Sequence, residues 1–260
     1  MLKLTDDQWN RIRHHFPEEN RPKGQRGRPP VPARQILEAV LWILKTGAQW
    51  KMLPQCYPNY KTVHRRYQTW CRKGVLADVL EDLAAELREM RVIDGSEAVI
   101  DASFARAKGG GDGVGLTKAG KGVKIMAIVD RCGLPLSVGT HSAQRHEARL
   151  VQLSLDLVFV DDLPENLVGD KAYDSDPLDA DLRKQGVEMI APHRKNRTRA
   201  KTQRDGRRLR RYRRRWIVER FFAWIQWNRR VLIRWEYHAE NFLGFVQLAA
   251  LCLLLKPLYY

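Results

Sequence analysis

The stretch that decides the fold runs from Tyr212 to Arg230 and reads YRRRWIVERFFAWIQWNRR. Neither glycine nor proline interrupts it, and its apolar residues recur at helical spacing, which predicts a helix with one buried stripe. Between positions 207 and 234 the only acidic residue is Glu219. We expect the buried stripe to contain Trp216, Phe221, Trp224 and Ile225.

Glu219 shares one face of this predicted helix with three neighbours. Arg215 precedes it by one helical turn, and Phe222 and Gln226 follow on the same side. Taken alone, this pattern is typical of a solvated basic helix in which Arg215 and Glu219 form an ion pair. The rest of the chain favours a functional role for Glu219.

Charge and length limit the classes of partner. Lysine and arginine number 46, against 30 aspartates and glutamates, so the 260-residue chain carries a net charge of +16. This excess predicts a polyanionic partner, either nucleic acid or an anionic membrane surface. The apolar run from Phe242 to Leu255 is shorter than the roughly 20 residues of a membrane span, and the first residues do not read as a signal peptide. We therefore expect a cytoplasmic protein with no membrane partner.

Several competing chemistries lack their motifs. The four cysteines are scattered without a CxxC pair, which indicates reduced thiols and not a disulfide framework or a zinc site. The Gly-rich segment 108–122 lacks the Gly-Lys-Ser/Thr ending of a nucleotide-binding loop. His146 and Glu147 lack the second histidine of a zinc protease, and no Gly-x-Ser-x-Gly elbow is present.

Residues 1–92 predict a helical region with a Pro/Arg-rich linker at 20–34. One helix begins after Thr5, and a second runs from Ala33 to Lys45. Within the linker, Gly27-Arg28-Pro29 is typical of an arm that places an arginine in the minor groove of DNA, or of a plain hinge. We take Arg28 as a candidate DNA contact.

A third, basic helix is predicted from Tyr60 to Gly74, with Val63, Tyr67 and Trp70 packing inward. Two helices joined by a turn, the second basic, favour a helix-turn-helix, although a small helical domain with a solvated basic face fits the pattern equally. The acidic segment that follows is expected to pack on the next domain. The side chains left for phosphate contacts include Lys61, Thr62, His64, Arg65 and Arg66.

Residues 93–260 predict an α/β domain with a mixed sheet. The β-prone run Ala98-Val99-Ile100 ends on Asp101, and the apolar run Leu167-Val168-Gly169 ends on Asp170. A hairpin and a helix from His146 to Leu157 are predicted between these two runs, and helices alternate with strands after them. Because ligands bind at strand ends in open α/β sheets, the two aspartates have a reason to converge.

Three carboxylates of this basic chain are therefore candidate site residues: Asp101, Asp170 and Glu219. Like charges packed together repel unless divalent cations neutralise them, and Mg²⁺ accepts carboxylate oxygens readily. Two such ions stabilise the attacking and leaving oxygens of a phosphoryl transfer. The set therefore predicts cutting or joining of a nucleic-acid backbone, although each aspartate by itself is also typical of a residue that caps a turn.

The motifs match a known family in several segments and in the same order. The chain resembles the DDE transposases of bacterial insertion sequences, particularly the insertion sequence 5 family, and the likeness covers nearly its whole length. In the N-terminal half the matching segments include Gly27-Arg28-Pro29-Pro30, Thr46-Gly47-Ala48-Gln49-Trp50 and Thr62-Val63-His64-Arg65-Arg66-Tyr67. In the C-terminal half they are Ile100-Asp101-Ala102-Ser103, Arg145-His146-Glu147, Gly169-Asp170-Lys171-Ala172-Tyr173-Asp174 and Tyr212-x-x-Arg215-x-x-x-Glu219.

This resemblance implies a ribonuclease H-like catalytic domain in which Asp101, Asp170 and Glu219 bind two Mg²⁺ ions, with Mn²⁺ as a substitute. It implies an enzyme that cuts double-stranded DNA at the terminal inverted repeats of its own element and joins the freed 3′-OH to target DNA. It also implies a bacterial, nucleoid-associated protein acting as a homodimer or a higher oligomer. A DNA-binding regulator that has lost cleavage, or a nuclease without strand transfer, remains as an alternative.

One position departs from the family pattern. Seven residues after the glutamate the family usually has a lysine that contacts transposon-end DNA, whereas this chain has Gln226. Loss of that charge affects DNA affinity more than catalysis, because lysine is not a metal ligand. The other candidate DNA contacts of this stretch are Tyr212, Arg215, Arg229 and Arg230, the last two as replacements for the missing charge.

Overall fold

The computed structural model describes residues 3–20, 22, 29–160, 162–195 and 208–256. Most of the predicted linker, including Arg28, lies outside these described residues.

Four α-helices occupy the N-terminal region. Thr5 caps the first through a reciprocal pair of hydrogen bonds with Gln8, and Gly47, in the left-handed conformation at φ +70°, ends the second. These positions and the inward packing of the third helix confirm the helices predicted here. Their bounds are α1, Asp6–Ile12; α2, Ala33–Thr46; α3, Tyr60–Arg72; and α4, Val75–Glu89.

One mixed sheet forms the centre of the C-terminal region. Its order is β2-β3-β1-β5-β6, with β4 beside β3 and β7 beside β1. The β1, β3 and β4 strands pair antiparallel, whereas β5 and β6 run parallel to β1. The bounds are β1, Glu97–Ala107; β2, Gly115–Thr117; β3, Gly120–Asp130; β4, Pro135–Ser142; β5, Asn166–Val168; β6, Glu188–Ile190; and β7, Ile233–Arg234.

The expectation that the first strand ends at Asp101 is wrong. β1 continues for six residues beyond Asp101 to Ala107, because β3 pairs with it as far as Arg106 and β7 pairs with its last two residues. Asp101 therefore projects from the middle of a long strand, at the point where the shorter β5 has already ended. A polar residue inside an apolar strand reads as a strand end when the partner strands are unknown.

In the described part of this region, five further helices pack around the sheet. The segment predicted as one helix from His146 to Leu157 is instead a short 3₁₀ turn at Glu147–Arg149 followed by the first of these helices. The last helix is almost entirely buried and packs against β4, α3 and α4. The acidic segment, which forms α4, therefore packs on the C-terminal region as expected. The bounds are α5, Val151–Leu155; α6, Asp176–Lys184; α7, Trp216–Gln226; α8, Arg229–Leu232; and α9, Ala239–Leu254.

Helix α7 buries two of the four residues predicted for its buried stripe. Phe221 and Ile225 are fully buried, but Trp216 and Trp224 are 52% and 36% exposed. The sheet covers only one side of the helix, and that side is filled by branched aliphatic and phenylalanine side chains. The two tryptophans instead flank Arg220, whose guanidinium carbon lies 4.7 Å from the centre of each ring.

The helical and α/β regions share one continuous apolar core. Tyr67 of α3 is fully buried and donates a hydrogen bond of 2.6 Å to the carbonyl oxygen of Asn241 in α9. The three N-terminal helices α2 to α4 are therefore packed on the C-terminal helix. No helix within the described part of the chain is long and apolar enough to cross a membrane.

Candidate active site

The register between β1 and β5 places the first two acids side by side. Val99 pairs with Val168 in this parallel ladder. Asp101 and Asp170 each follow two residues later, so they occupy equivalent positions on neighbouring chain segments. Asp170 also caps the 3₁₀ turn after β5, accepting a hydrogen bond of 2.6 Å from the amide of Ala172.

Asp101 is 8% exposed and fully engaged. One carboxylate oxygen accepts the amide of Ala102 at 2.8 Å, and the other accepts Nη2 of Arg215 at 3.0 Å. Burial raises the pKa of Asp101, and the nearby charge of Asp170 raises it further, against the lowering effects of the amide and of Arg215. The charged form of Asp101 is therefore costly here and depends on a cation.

Arg215 links the first acid to the third. Its Nη2 atom lies 3.0 Å from Oδ2 of Asp101 and 3.3 Å from Oε1 of Glu219, so one nitrogen lies between two carboxylates. Burial tends to lower the pKa of Arg215, but Tyr212 and Asp101 raise it overall. The Glu219 side chain is 60% exposed, and α7 presents it toward solvent. We call the three acids Asp101, Asp170 and Glu219 the acid edge.

Tyr173 lies behind the acid edge and was not singled out by its chemistry in the sequence. It is fully buried, and its hydroxyl has no hydrogen-bond partner among the described residues. Burial raises the pKa of Tyr173, and the charges of Glu147, Asp101 and Asp170 add to this effect. The tyrosine therefore stays neutral close to the charged acids.

The donor set of the acid edge fits a divalent cation. Carboxylate oxygens are the ligands that Mg²⁺ and Mn²⁺ prefer. A positively charged nitrogen already lies between Asp101 and Glu219, which shows that the two carboxylates can share one cation. Within the described residues, the triads whose ligand atoms all lie within 4.8 Å of one another are elsewhere, so the three acids are more widely spaced than that.

Gln226 lies at the border of the acid edge. Its Nε2 atom donates a hydrogen bond of 3.0 Å to Oγ of Ser103. Ser103 follows Asp101 by two residues on β1 and therefore points to the same face of the sheet. Position 226 thus lies on the Glu219 face of α7, as the helical spacing predicts, and its contact with β1 is what the structure adds. A lysine at this position would bring its charge to the same border.

The predicted contacts on α3 divide into free and engaged side chains. Lys61 and Arg65 are exposed, and Thr62 is half-buried. His64 stacks on Trp50 with ring centres 4.5 Å apart. Burial lowers its pKa, so its ring favours the neutral form. The remaining basic residue, Arg66, forms an ion pair of 2.8 Å with Glu18.

Arg229 and Arg230 have different environments despite being neighbours. Arg229 is exposed. Arg230 is 5% exposed, and its Nε atom donates to Oε1 of Glu236 at 2.8 Å. It also donates to the carbonyl oxygen of Ala48 at 3.1 Å. The prediction of a DNA contact at Arg230 does not agree with this placement, because a buried guanidinium with a complete set of protein partners has no face left for phosphate.

Known proteins resemble this chain in both halves. Residues 4–80 match the family described as "Putative transposase of IS4/5 family (DUF4096)", and residues 94–255 match the family described as "Transposase DDE domain". The chain is 37% identical over 118 residues to the "Uncharacterized protein y4sN" of Sinorhizobium fredii, covering 45% of this chain and 87% of the relative. It is also 37% identical over 121 residues to the "Insertion element IS402 uncharacterized 16.2 kDa protein" of Burkholderia cepacia, covering 44% and 80%.

Solved structures of other transposases are more distant. The piggyBac transposase synaptic complex with hairpin DNA is 11% identical, with a TM-score of 0.49 and coverage of 96% of this chain and 72% of that chain. The pre-cleavage Mos1 transpososome is 12% identical, with a TM-score of 0.27 and coverage of 91% and 82%. TM-scores below 0.5 carry no inference to this chain.

The family match and the fold agree. The sheet has a central antiparallel pair extended by parallel strands, with helices on its faces, which is the ribonuclease H-like arrangement expected from the sequence. The DDE match spans residues 94–255, more than half of the chain, and includes Asp101, Asp170 and Glu219. The chain therefore belongs to the DDE transposase domain family, whose members are metal-dependent enzymes of DNA cleavage and strand transfer.

Proposed function

We propose that this protein binds the terminal inverted repeats of its own insertion sequence, cuts the DNA there in a Mg²⁺-dependent reaction, and joins the freed ends to target DNA. The observation that carries the proposal is the acid edge itself. Asp101 and Asp170 occupy equivalent positions on neighbouring segments, and Arg215 joins Asp101 to Glu219 through a single nitrogen.

In this proposal Asp101, Asp170 and Glu219 hold the divalent ions, of which Mg²⁺ is the expected one and Mn²⁺ a substitute. A bound pair of such ions would lower the pKa of the attacking water and stabilise the leaving oxygen. The protein supplies fixed ligands, because Asp101 stands on β1, a strand that pairs with β3, β5 and β7. Glu219 stands on a helix that packs on the same sheet.

Arg215 has a role of its own in this proposal. Its cation balances the charge of Asp101 and Glu219 before substrate arrives, and its Nε atom is buried without a hydrogen-bond partner among the described residues. A guanidinium with one unsatisfied donor gains by exchanging partners. We assign it to the scissile phosphate in the complex, where it would bind an oxygen and leave the carboxylates to the metal ions.

DNA binding is assigned to surfaces on both regions. We propose that residues 1–92 contribute end recognition and residues 93–260 the chemistry. We assign phosphate contacts to Lys61 and Arg65 on α3 and to Arg229 beyond α7, a choice supported by the exposure of all three side chains. Two ends must be brought together for joining, so we propose a homodimer or a higher oligomer. The net charge of +16 supports a double-stranded DNA partner.

The experiment is end cleavage and strand transfer by the purified protein on a DNA fragment that carries the flanks of its own gene. We expect breaks at the repeats and joined 3′ ends with Mg²⁺, and no products with a chelator. Glu219→Gln should retain DNA binding and lose cleavage by at least about a hundredfold, because one metal-binding charge is removed. Glu89→Gln, an exposed glutamate on α4, is the matched control and should cleave normally.

Two outcomes contradict this function. Binding to the flanks without breaks in the wild-type protein would favour the non-cutting regulator. Breaks without joined products would favour a nuclease that does not transfer strands. Cleavage by Glu219→Gln at the wild-type rate would remove Glu219 from the site.

A further inference from the structure

We propose that His14, His15 and Asp82 form a second metal site, which binds a transition metal of the Zn²⁺ class and is separate from the acid edge. Both histidines lie in the 3₁₀ turn Arg13–His15 after α1, and Asp82 lies on α4. The Nε2 atoms of His14 and His15 are 3.1 Å and 2.9 Å from the same carboxylate oxygen of Asp82.

The three ligand atoms have the separations of a coordination site. They all lie within 4.8 Å of one another. Zn–N and Zn–O bonds of about 2.0–2.2 Å at tetrahedral angles place neighbouring ligand atoms about 3.4 Å apart. The observed distances of 2.9 and 3.1 Å need to open by only a few tenths of an ångström. Two imidazoles and one carboxylate, with water as a fourth ligand, are a common donor set for zinc.

Hydrogen bonding alone leaves this cluster incompletely satisfied. Nε2 of His15 is buried and has no hydrogen-bond partner among the described residues, although Oδ2 of Asp82 is only 2.9 Å away. The two atoms are within hydrogen-bond distance, but their angles are not those of a hydrogen bond. The two imidazole rings also lie 4.1 Å apart, so protonating both would place two cations side by side. One divalent ion would satisfy both nitrogens and the carboxylate together.

The turn that carries the histidines is held rigidly. Ile12 and Phe16 on either side of it are 1% and 0% exposed. The Phe16 ring packs edge-on against Trp70 with ring centres 4.7 Å apart. His15 itself is 12% exposed, whereas His14 and Asp82 are more than half exposed and free to adjust. Ligands on a rigid turn lose little conformational entropy on binding.

Local charge also favours a cation at this place. The α4 helix carries five acidic residues and one arginine within a chain that is strongly basic overall. Of the nearby basic residues, Arg11 already forms an ion pair with Glu86, and Arg13 is exposed. Asp82 is thus part of an acidic surface next to two imidazoles, which supplies both ligand chemistry and charge.

A second cluster, Asp112, His238 and Glu240, has similar separations but weaker support. It offers one imidazole, whose Nδ1 lies in hydrogen-bond geometry 3.2 Å from Asp112, just as Nε2 of His14 does 3.1 Å from Asp82. It has no counterpart to the buried and unsatisfied Nε2 of His15. Burial lowers the pKa of the nearby Arg234, and the charges of Glu236, Asp112 and Glu240 oppose that effect. We use this second cluster as the control site.

The experiment is Zn²⁺ binding to the purified full-length protein, in competition with a chromophoric chelator and with millimolar Mg²⁺ present to occupy the acid edge. We expect His14→Ala and Asp82→Asn each to weaken Zn²⁺ binding at least about tenfold. Glu81→Gln, which removes the same charge from the adjacent exposed position of α4, should leave it unchanged. A saturating Zn²⁺ concentration should also raise Tm of the wild type by about 5 °C and leave that of Asp82→Asn unchanged.

This proposal does not depend on the transposase function, because neither readout involves DNA. Absence of Zn²⁺ binding by the wild type in excess Mg²⁺ would overturn it. Loss of binding in His238→Ala, with normal binding in His14→Ala, would overturn it as well by assigning the ion to the other cluster.

Discussion

Arg215 and Arg230 belong to the same basic run, yet their carboxylate partners have opposite environments. At the acid edge, Arg215 lies between a buried and a 60% exposed carboxylate, and its Nε atom is unsatisfied. In the closed corner, which we define as Arg230, Arg234 and Glu236, the Arg230–Glu236 pair is about 95% buried and Arg230 also donates to backbone carbonyls.

The difference separates a structural ion pair from one that we propose to be functional. Every donor that Arg230 directs into the corner finds an acceptor, so the pair holds α8 against the start of the loop after α2. Arg215 instead contacts two carboxylates with a single charge, and one of them is exposed to solvent. In the sequence both arginines belong to one basic run. Because Arg230 is buried and Arg215 is partly exposed, we assign them different roles.

The largest effect is expected in the closed corner. Arg230→Ala removes one partner of a buried pair and leaves the charge of Glu236 uncompensated, which should cost about 3–5 kcal/mol of unfolding free energy. Thermal and urea unfolding measure this loss. Arg229→Ala, at the exposed neighbouring position, is the matched control and should change stability by less than about 0.5 kcal/mol. Equal stabilities for the two variants would contradict the structural role of Arg230.

Arg215→Ala should act on chemistry and metal binding more than on the fold. Removal of the nitrogen that competes for Asp101 and Glu219 should raise the affinity for Mn²⁺, while loss of the phosphate contact should slow end cleavage about a hundredfold. Calorimetric Mn²⁺ titration and a cleavage time course measure the two effects. Arg213→Ala, exposed on the same segment, should change neither. Weaker Mn²⁺ binding in Arg215→Ala would contradict competition between Arg215 and the metal.

Gln226→Lys tests whether the border of the acid edge contacts DNA. The added charge beside Ser103 should bring one more phosphate contact and steepen the slope of log K against log salt by about 0.9. Binding to the element's own ends over a range of salt concentrations measures the slope. Gln185→Lys adds the same charge at an exposed position after α6 and should have no such effect. If both variants show the same slope of log K against log salt, DNA does not contact position 226.

The smallest effect concerns the burial of Asp101. Because burial raises its pKa in the folded state, ionised Asp101 destabilises the fold at pH values above that pKa and costs nothing once the group is protonated in both states. In the presence of a chelator, Asp101→Asn should therefore raise Tm at pH 7, and the gain should shrink as the pH falls toward the ordinary range of an aspartate. Asp78→Asn, an exposed acid on α4, controls for loss of charge. An increase in Tm that becomes larger as the pH falls would contradict the raised pKa of Asp101.

Much of the fold could be predicted because its signals are local. The capped start of α1, the glycine that ends α2, the two long hairpin strands and the apolar α9 all follow from capping, turn chemistry and periodicity. The errors arose where packing against a segment distant in sequence determines which residues are buried. Trp216 and Trp224 match the period of the buried stripe, but the sheet reaches only the other side of α7.

The candidate site shows the same division. Asp101, Asp170 and Glu219 were found as acids after apolar runs or among arginines, and the family match includes all three. The register that sets the aspartates side by side, and the nitrogen that joins Asp101 to Glu219, depend on strands and helices far apart in sequence. Spacing along the chain carries no information on such pairings.

The sequence by itself determined the helical region, the α/β region, the basic character of the chain, the three acids and the family. Those properties depend on residue type and on periodicity, which a single chain displays in full. Only the tertiary structure decided that Arg230 is buried, that Gln226 contacts Ser103 on β1, and that His14 and His15 meet Asp82 across 68 and 67 positions. Burial and convergence are properties of the packed chain, because they arise when distant segments exclude water from one another.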